Sequence, residues 1–286
     1  DVFAMDTGNS SSNGPAFDSD FSVDFTFSKQ PASSGYFIVT ARPFKEWLKF
    51  NGDAGSSLSS YERYDFSKGV HQQYDSSNQA WMFKRHSGFD VCMYTGNSSD
   101  EQRMVHSLNK IPEMIWVANY ESNGTDWCVY HKGLNGGTNP QNYRIALNYN
   151  SAESASDDWA DVAPTLTTFT VGDNDTNQSN EKYIALLFAS VDGISKVGSY
   201  SGSGSTGNAQ NIGFQPRLLI IKRTNSTGDW FVFNSVSGFG NYLQLNTTQS
   251  ENNQNYVSVS STGFSLVSDY GDTNESGSSY IYYAHA

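Results

Sequence analysis

The stretch from Gly213 to Phe233 constrains the fold of this chain more than any other. It reads Gly-Phe-Gln-Pro-Arg-Leu-Leu-Ile-Ile-Lys-Arg, then Thr-Asn-Ser-Thr-Gly-Asp, then Trp-Phe-Val-Phe. Leu218 to Ile221 is a continuous apolar run, and so is Trp230 to Phe233. Runs this short read as strands, and a strand apolar on both sides of its pleat must be covered on both faces. Asn225, Ser226, Gly228 and Asp229 between them are turn formers: Gly and Asn tolerate positive φ, while Ser and Asp bond nearby backbone. The expectation is a hairpin at the centre of a packed sheet.

Versions of this hairpin occur twice more. Phe21 to Lys29 and Ile111 to Ala118 answer Phe214 to Lys222, and Gly35 to Val39 and Asp126 to Tyr130 answer Asp229 to Phe233. Trp47 to Asn51, Tyr143 to Asn148 and Asn241 to Asn246 follow in turn. Aromatic-rich strands at Ala80 to Lys84, Tyr183 to Ala189 and Tyr280 to Ala284 close each unit. The unit openings also echo: Asp1 to Ser12, Asp90 to Ser99 and, more weakly, Gly198 to Ser205 are short strands running into Gly/Asn/Ser turns. A period of about 90 to 105 residues marks domains, since solenoid units are shorter. No segment holds a 3.6-residue period for three turns; Ser99 to Leu108 fits one helical turn or a strand equally. The predicted fold is therefore all-β: about three tandem antiparallel β-sandwich, jelly-roll-like repeats at 1–88, 89–197 and 198–286. The linkers Arg85 to Phe89 and Asp192 to Lys196 are short enough to restrict inter-domain freedom. The first repeat diverges most, and its middle, Ser56 to Tyr74, is polar and resists assignment.

The 286 residues allow two or three domains with ample core, much of it from an aromatic fraction of 14%. A net charge of −12 argues against a nucleic-acid partner, whose phosphates need clustered Lys and Arg. No apolar run reaches the roughly 20 residues of a membrane span. Asp1 is neither an initiator Met nor a signal-like start, which implies a processed chain or one whose first residues lie outside this sequence. Cys92 and Cys128 both fall in predicted strands; a disulfide and two buried thiols both remain open, the latter fitting the usual burial of free Cys.

Nothing in the chain has the spacing of a catalytic or metal site. His71, His86, His106, His131 and His285 are scattered without a ligand pattern, and structural or solvated roles are expected for them. Asp173-Asn-Asp-Thr-Asn177 begins like a calcium loop but lacks the Gly and distant Glu of an EF-hand, so it reads as a turn, recurring at Asp269, Asp272 and Glu275. Asp157, Asp158 and Asp161 around Trp159 read as a solvated loop. With 29 acids, sequence spacing identifies no glycosidase pair. Gly202-Ser-Gly-Ser-Thr-Gly207 has no following Lys or helix to make it a phosphate cradle. The sequons at Asn97, Asn123, Asn225 and Asn246 are what chance yields in an Asn/Ser/Thr-rich chain. Trp159, Tyr61 and Tyr64 are the candidate aromatics for a lectin platform.

One resemblance extends this reading. Tyr94-Thr-Gly-Asn97, Asp126-Trp-Cys-Val-Tyr-His-Lys-Gly-Leu134, Trp159-Ala-Asp-Val-Ala-Pro-Thr165, Tyr183-Ile-Ala-Leu-Leu-Phe188 with Gly193-Ile-Ser-Lys196, and Ile220-Ile-Lys-Arg-Thr224 with Gly228-Asp-Trp230 occur in order. Through them the second and third repeats resemble a β-rich repeat domain of unassigned activity. That domain is common in tail-fibre-like and other structural proteins of marine bacteriophages, including those of cyanobacteria. The first repeat matches loosely, at Gly8-Asn9 and Ala41-Arg-Pro43. The resemblance implies a non-enzymatic virion surface protein: a tail fibre, spike or capsid appendage without cofactor. Its implied partners are copies of itself, other virion proteins and a host-surface glycan. The alternatives are a lectin-like carbohydrate-binding module or, further off, a polysaccharide depolymerase. The resemblance supplies no catalytic, ligand or metal residues.

Overall fold

A computed structural model describes residues 1–9, 11, 13–51, 57–58, 63–72, 77–122, 125–172 and 174–286. Within the polar stretch Ser56 to Tyr74, residues 56, 59–62, 73 and 74 lie outside them. The architecture is all-β, with antiparallel pairing throughout its named strands. Six strands form a first sheet: β1 (Phe3–Thr7), β2 (Phe25–Lys29), β3 (Ile38–Ala41), β4 (Phe44–Lys49), β5 (Ser57–Leu58) and β6 (Gln79–Phe83), in the order β1-β6-β2-β3-β4-β5. The next eight strands are β7 (Phe89–Thr95), β8 (Gln102–Val105), β9 (Met114–Asn119), β10 (Cys128–His131), β11 (Tyr143–Ala146), β12 (Ser154–Ala155), β13 (Thr168–Val171) and β14 (Lys182–Phe188). Six of them make a second sheet, β7-β14-β9-β10-β11-β12, with β8 and β13 paired apart.

The third set is β15 (Ser195–Ser201), β16 (Asn208–Asn211), β17 (Leu218–Arg223), β18 (Trp230–Asn234), β19 (Asn241–Gln244), β20 (Asn252–Asn253), β21 (Val257–Ser260), β22 (Gly263–Leu266) and β23 (Ser279–His285). It forms a sheet β15-β23-β17-β18-β19-β20 and a smaller one, β16-β22-β21. The strand order is thus the same in all three large sheets: opening strand, closing strand, central hairpin, then two further strands. Residues 102–105 resolve as a strand rather than a helical turn. The longest α-helix among the described residues is the four-residue α1 (Gly271–Asn274).

The two-sided burial expected of the hairpin is present, and its cause is a second layer on each side. Leu218 and Ile220 of β17 face one core, while Leu219 and Ile221 face another. On β18, Trp230 and Val232 take the first side and Phe231 and Phe233 the second. In the second sheet Met114, Trp116 and Ala118 alternate in the same way with Ile115 and Val117. In the first sheet Trp81 and Phe83 face inward, while Ala80 and Met82 pack outward on Phe17, Phe21 and Val70. Period-two alternation sends successive side chains to opposite faces, so an unbroken apolar run fills two cores at once.

The inward faces of all three sheets meet in one core. Phe50 of the first sheet's region lies 5.0 Å from Trp127 and 5.5 Å from Trp116, edge to face. Phe188 lies 5.0 Å from Tyr283, joining second to third, and Phe3 lies 4.5 Å from the His285 ring, joining third to first. The final strand, β23, is buried within its own chain between β15 and β17.

Hydrogen bonds repeat the arrangement. The backbone N–H of Phe37, Trp127 and Trp230, each at the entry to the second hairpin strand, donates to the side chain of Asn51, Asn148 and Asn246 at 3.1, 3.1 and 2.8 Å. The Trp127 indole N–H then donates to the Lys49 carbonyl, and that of Trp230 to the Ala146 carbonyl, both at 2.8 Å. Each acceptor stands two residues before the capping Asn of the preceding sheet. Backbone bonds join third sheet to second, Gly228 N–H to Asn150 O at 2.8 Å, and first to third, Gly35 N–H to Thr248 O at 2.7 Å. The contacts therefore run third to second, second to first and first to third.

Candidate functional site

The acidic turn that recurs before the closing strand is built the same way in the second and third sheets. Asn177 and Asn274 are fully buried. Asn177 Nδ2 donates to Ser99 O at 2.9 Å, and Asn274 Nδ2 donates to Ser205 O and Ser268 O at 2.8 and 2.7 Å. The hydroxyls of Tyr94 and Tyr200 donate to the Thr176 and Thr273 carbonyls at 2.7 and 2.6 Å, and those rings stack on Tyr183 and Tyr280, each at 5.0 Å. The glycines of the echoed turns are required here. A Cβ on Gly96 or Gly202 would come within 2.2 or 2.0 Å of the Gln178 or Glu275 carbonyl. The Asp-Thr-Asn turn is thus a plug that locks one end of the sheet, as its reading as a turn anticipates. Its aspartate, Asp175 or Asp272, neighbours the hairpin aspartate, Asp126 or Asp229.

What lies between these aspartates differs. In the second sheet it is Arg144, which bonds Asp175 at 2.6 Å, Asp158 at 3.2 Å and Asp126 at 3.3 Å. Asp158 is fully buried rather than on a solvated loop, which corrects the sequence expectation: the guanidinium supplies the counter-charge that makes its burial affordable. Burial raises its carboxyl above the usual range, and Arg144 opposes the shift.

Four residues before the capping Asn, where the second sheet has Arg144, the third has Tyr242. Asp158, whose carbonyl accepts the Gly172 N–H just after β13, is answered by Tyr256, whose carbonyl accepts the Val267 N–H just after β22. An ion pair is therefore replaced by two rings, 5.4 Å apart. Tyr270 completes the group: it stacks on Tyr256 at 4.4 Å with the planes 9° apart, and it is 39% exposed. Phe231 supports Tyr242 at 4.7 Å. Burial pushes the phenols of Tyr242 and Tyr270 up to about 12, helped in each case by Asp229, so both remain neutral donors at physiological pH.

The carboxylates beside this tyrosine slot are held in place. Asp229 accepts from Gln244 Nε2 at 2.6 Å and Asn246 Nδ2 at 2.7 Å, and Asp272 accepts the Asp229 N–H at 3.3 Å. Asp272 is raised by burial and by its neighbour Asp229. Lys222 lies buried close by, its ammonium bonded to the Ser151 and Arg223 carbonyls and drawn down to about 7 by desolvation. Arg223 pairs with Glu275. Three carboxylates, Asp229, Asp272 and Glu275, thus stand around the slot with two basic groups, Arg223, paired with Glu275, and the partly discharged Lys222.

The sequence candidates fare unevenly. Trp159 is buried, its indole N–H donating to the Tyr143 carbonyl at 3.1 Å, so it belongs to the core and not to an exposed platform. Tyr64 is half-buried, with its hydroxyl 2.5 Å from that of Thr40. Tyr61, Asp173 and the sequon at Asn123 lie outside the described residues. His131 and His285 are buried, as are His71 and His106. His86 is half-buried, its ring 6.2 Å from that of His285. Cys92 and Cys128 are free thiols. Among the described residues no group of three His, Cys, Asp or Glu could hold a metal. Reading the chain alone passes over Tyr242, Tyr256 and Tyr270; the one signal for them was the run of substitutions between the second and third echoes. Open cavities elsewhere include one of about 490 Å³ beside Ile111, Glu113, Tyr130 and Leu166, and one of about 370 Å³ beside Phe3, Arg217 and His285.

No curated protein and no solved structure matches this chain. One family model does, across residues 76–286, from the closing strand of the first sheet through the whole of the second and third. The chain belongs to that family, described as a domain of unknown function, DUF7483.

Proposed function

We propose that the protein is a non-enzymatic structural component of a bacteriophage virion, a tail fibre, spike or capsid appendage at the particle surface. In this reading the chain is three repeats of one jelly-roll-like β-sandwich, at 1–88, 89–197 and 198–286, closed on one another about a common core. The observation that carries it is that closure: equivalent bonds run from each sheet to the next, and the inward faces share one core. A body locked in this way transmits load as a unit, because no sheet can move without exposing apolar surface of the others. The resemblance to repeat domains of marine phage structural proteins points the same way. The partners are other virion proteins and further copies of this chain, with repeated weak contacts summed by tethering. The net charge of −12 disfavours a nucleic-acid partner.

The test is to locate the chain in purified particles by mass spectrometry and electron microscopy. Its presence on the exterior in a fixed copy number per particle is expected; its absence from particles would refute the reading. Native mass measurement across salt concentrations should find oligomers, more of them as screening within about 10 Å at 0.1 M ionic strength relieves acidic repulsion. A second reading, a lectin-like module, is favoured by the tyrosine slot of the third sheet.

A further inference from the structure

The geometry points to a carbohydrate-binding site on the outer side of the third sheet, formed by Tyr242, Tyr256, Tyr270, Asp229 and Asp272, for a neutral sugar ring. This deepens, and rests on, the reading of the protein as a surface appendage that meets a host envelope.

The chain carries its own comparison. In the second sheet the equivalent place is closed by Arg144, whose guanidinium touches Asp126, Asp158 and Asp175. In the third sheet Arg144 and Asp158 are both exchanged for tyrosines, so the charge that filled the place is gone and ring surface stands there instead. Tyr270 keeps 39% of its surface exposed, while Phe231, 5.9 Å from it, is fully buried. Tyr270, backed on one face by the stacked Tyr256 ring, leaves apolar ring surface and a phenol donor open to solvent. A sugar ring has that mixture in complementary form, with C–H groups on its faces and hydroxyls around its rim.

The polar groups suit hydroxyls. Asp229 is clamped by Gln244 and Asn246, and each of its oxygens receives one such bond, which leaves lone pairs for a ligand. Asp272 stands beside it. A few fixed polar groups around an apolar ring surface are the usual make-up of a small-ligand site. An organic cation would also suit rings and carboxylates. Lys222 and Arg223 beside the two aspartates offset part of that attraction, and choline is therefore a probe in the test below.

The experiment is saturation-transfer NMR on the intact protein with three probes, D-glucose, D-galactose and N-acetyl-D-glucosamine, and with choline as the organic-cation probe, each at millimolar concentration. Transfer to the ring protons of at least one sugar is expected. That sugar's dissociation constant should rise tenfold or more in Tyr270→Ala and stay within about threefold in Tyr270→Phe, which keeps the stacking face. Thermal unfolding of both variants checks that they fold. The proposal is overturned by transfer to none of the sugars, by transfer to choline alone, or by sugar binding that Tyr270→Ala leaves unchanged. None of these outcomes touches the structural reading, which is decided by whether the chain is found in the particle.

Discussion

Arg144 shows how one side chain can determine whether a position is structural. Replacing it with Leu leaves the fully buried Asp158 carboxylate without its partner. Breaking such a pair costs about 3–5 kcal/mol, and Arg144→Leu should lose about that at pH 7 by urea unfolding. Without the guanidinium, the folded-state pKa of Asp158 moves further above its unfolded value. The stability tied to its proton is then present at low pH and lost as pH rises through the folded pKa. The deficit relative to the parent should therefore shrink as both are titrated toward pH 4; a constant deficit would contradict this account. Tyr283 makes the opposite case. It is buried, and its hydroxyl finds no partner among the described residues. Leaving a buried hydroxyl unmade costs about 1–3 kcal/mol, so Tyr283→Phe should raise stability by about 1 kcal/mol in the same measurement.

At the scale of elements, the hairpin strand after the turn is both core and clasp. Trp230 fills the shared core and bonds the Ala146 carbonyl of the neighbouring sheet. Trp230→Ala should cost about 3–5 kcal/mol, the usual range for a buried aromatic. Trp230→Phe should cost less, about 1–2 kcal/mol, because it chiefly leaves one carbonyl unsatisfied. The chain contains the precedent: Phe37 occupies the corresponding place in the first sheet, with the same backbone bond to an Asn and no indole. Equal losses for the two variants would mean that the ring's volume is not what the site uses.

For the whole molecule, the shared core makes the sheets interdependent. A version beginning at residue 89 would lack Phe25, Phe27, Phe50 and Trp81 and would leave the inner faces of the second and third sheets open to water. It should lose the cooperative melting transition of the full chain in calorimetry. A sharp transition in the truncated chain would show separable domains instead. Acid should also weaken the fold. Burial holds His86 down to about 4 and His131 and His285 to about 3. His131 Nδ1 accepts the Gly133 N–H at 2.9 Å, and its other nitrogen faces the Tyr282 carbonyl of the third sheet. Folded values below the unfolded 6.5 mean that this stability is present above pH 6.5 and is lost as pH falls toward 4. The urea midpoint should drop across that window, and less so in His131→Asn. The third sheet already has Asn, Asn234, at the matching register position.

The local pattern of the chain was enough to determine much of this. Unbroken runs such as Leu218 to Ile221 require two covered faces, and Asp, Asn and Gly at turns require short connections, so strand content and the repeated hairpin followed directly. Trp127 and Trp230 could be paired because each follows Asp at the entry to an apolar run. What covers a face is a long-range matter. Periodicity says that Trp116 and Ile220 must be buried, but not that they are buried in the same core. Asp158 and Trp159 look like a polar loop in the chain, and only the arrival of Arg144 from β11 makes burial of that carboxylate favourable. The tyrosines of the slot are separated by 14 residues at each step along the chain, 242, 256 and 270, with mixed sequence between. They meet because β19, the approach to β21 and the turn into α1 converge at one end of the sheet, and that convergence is set by strand pairing rather than by any local preference.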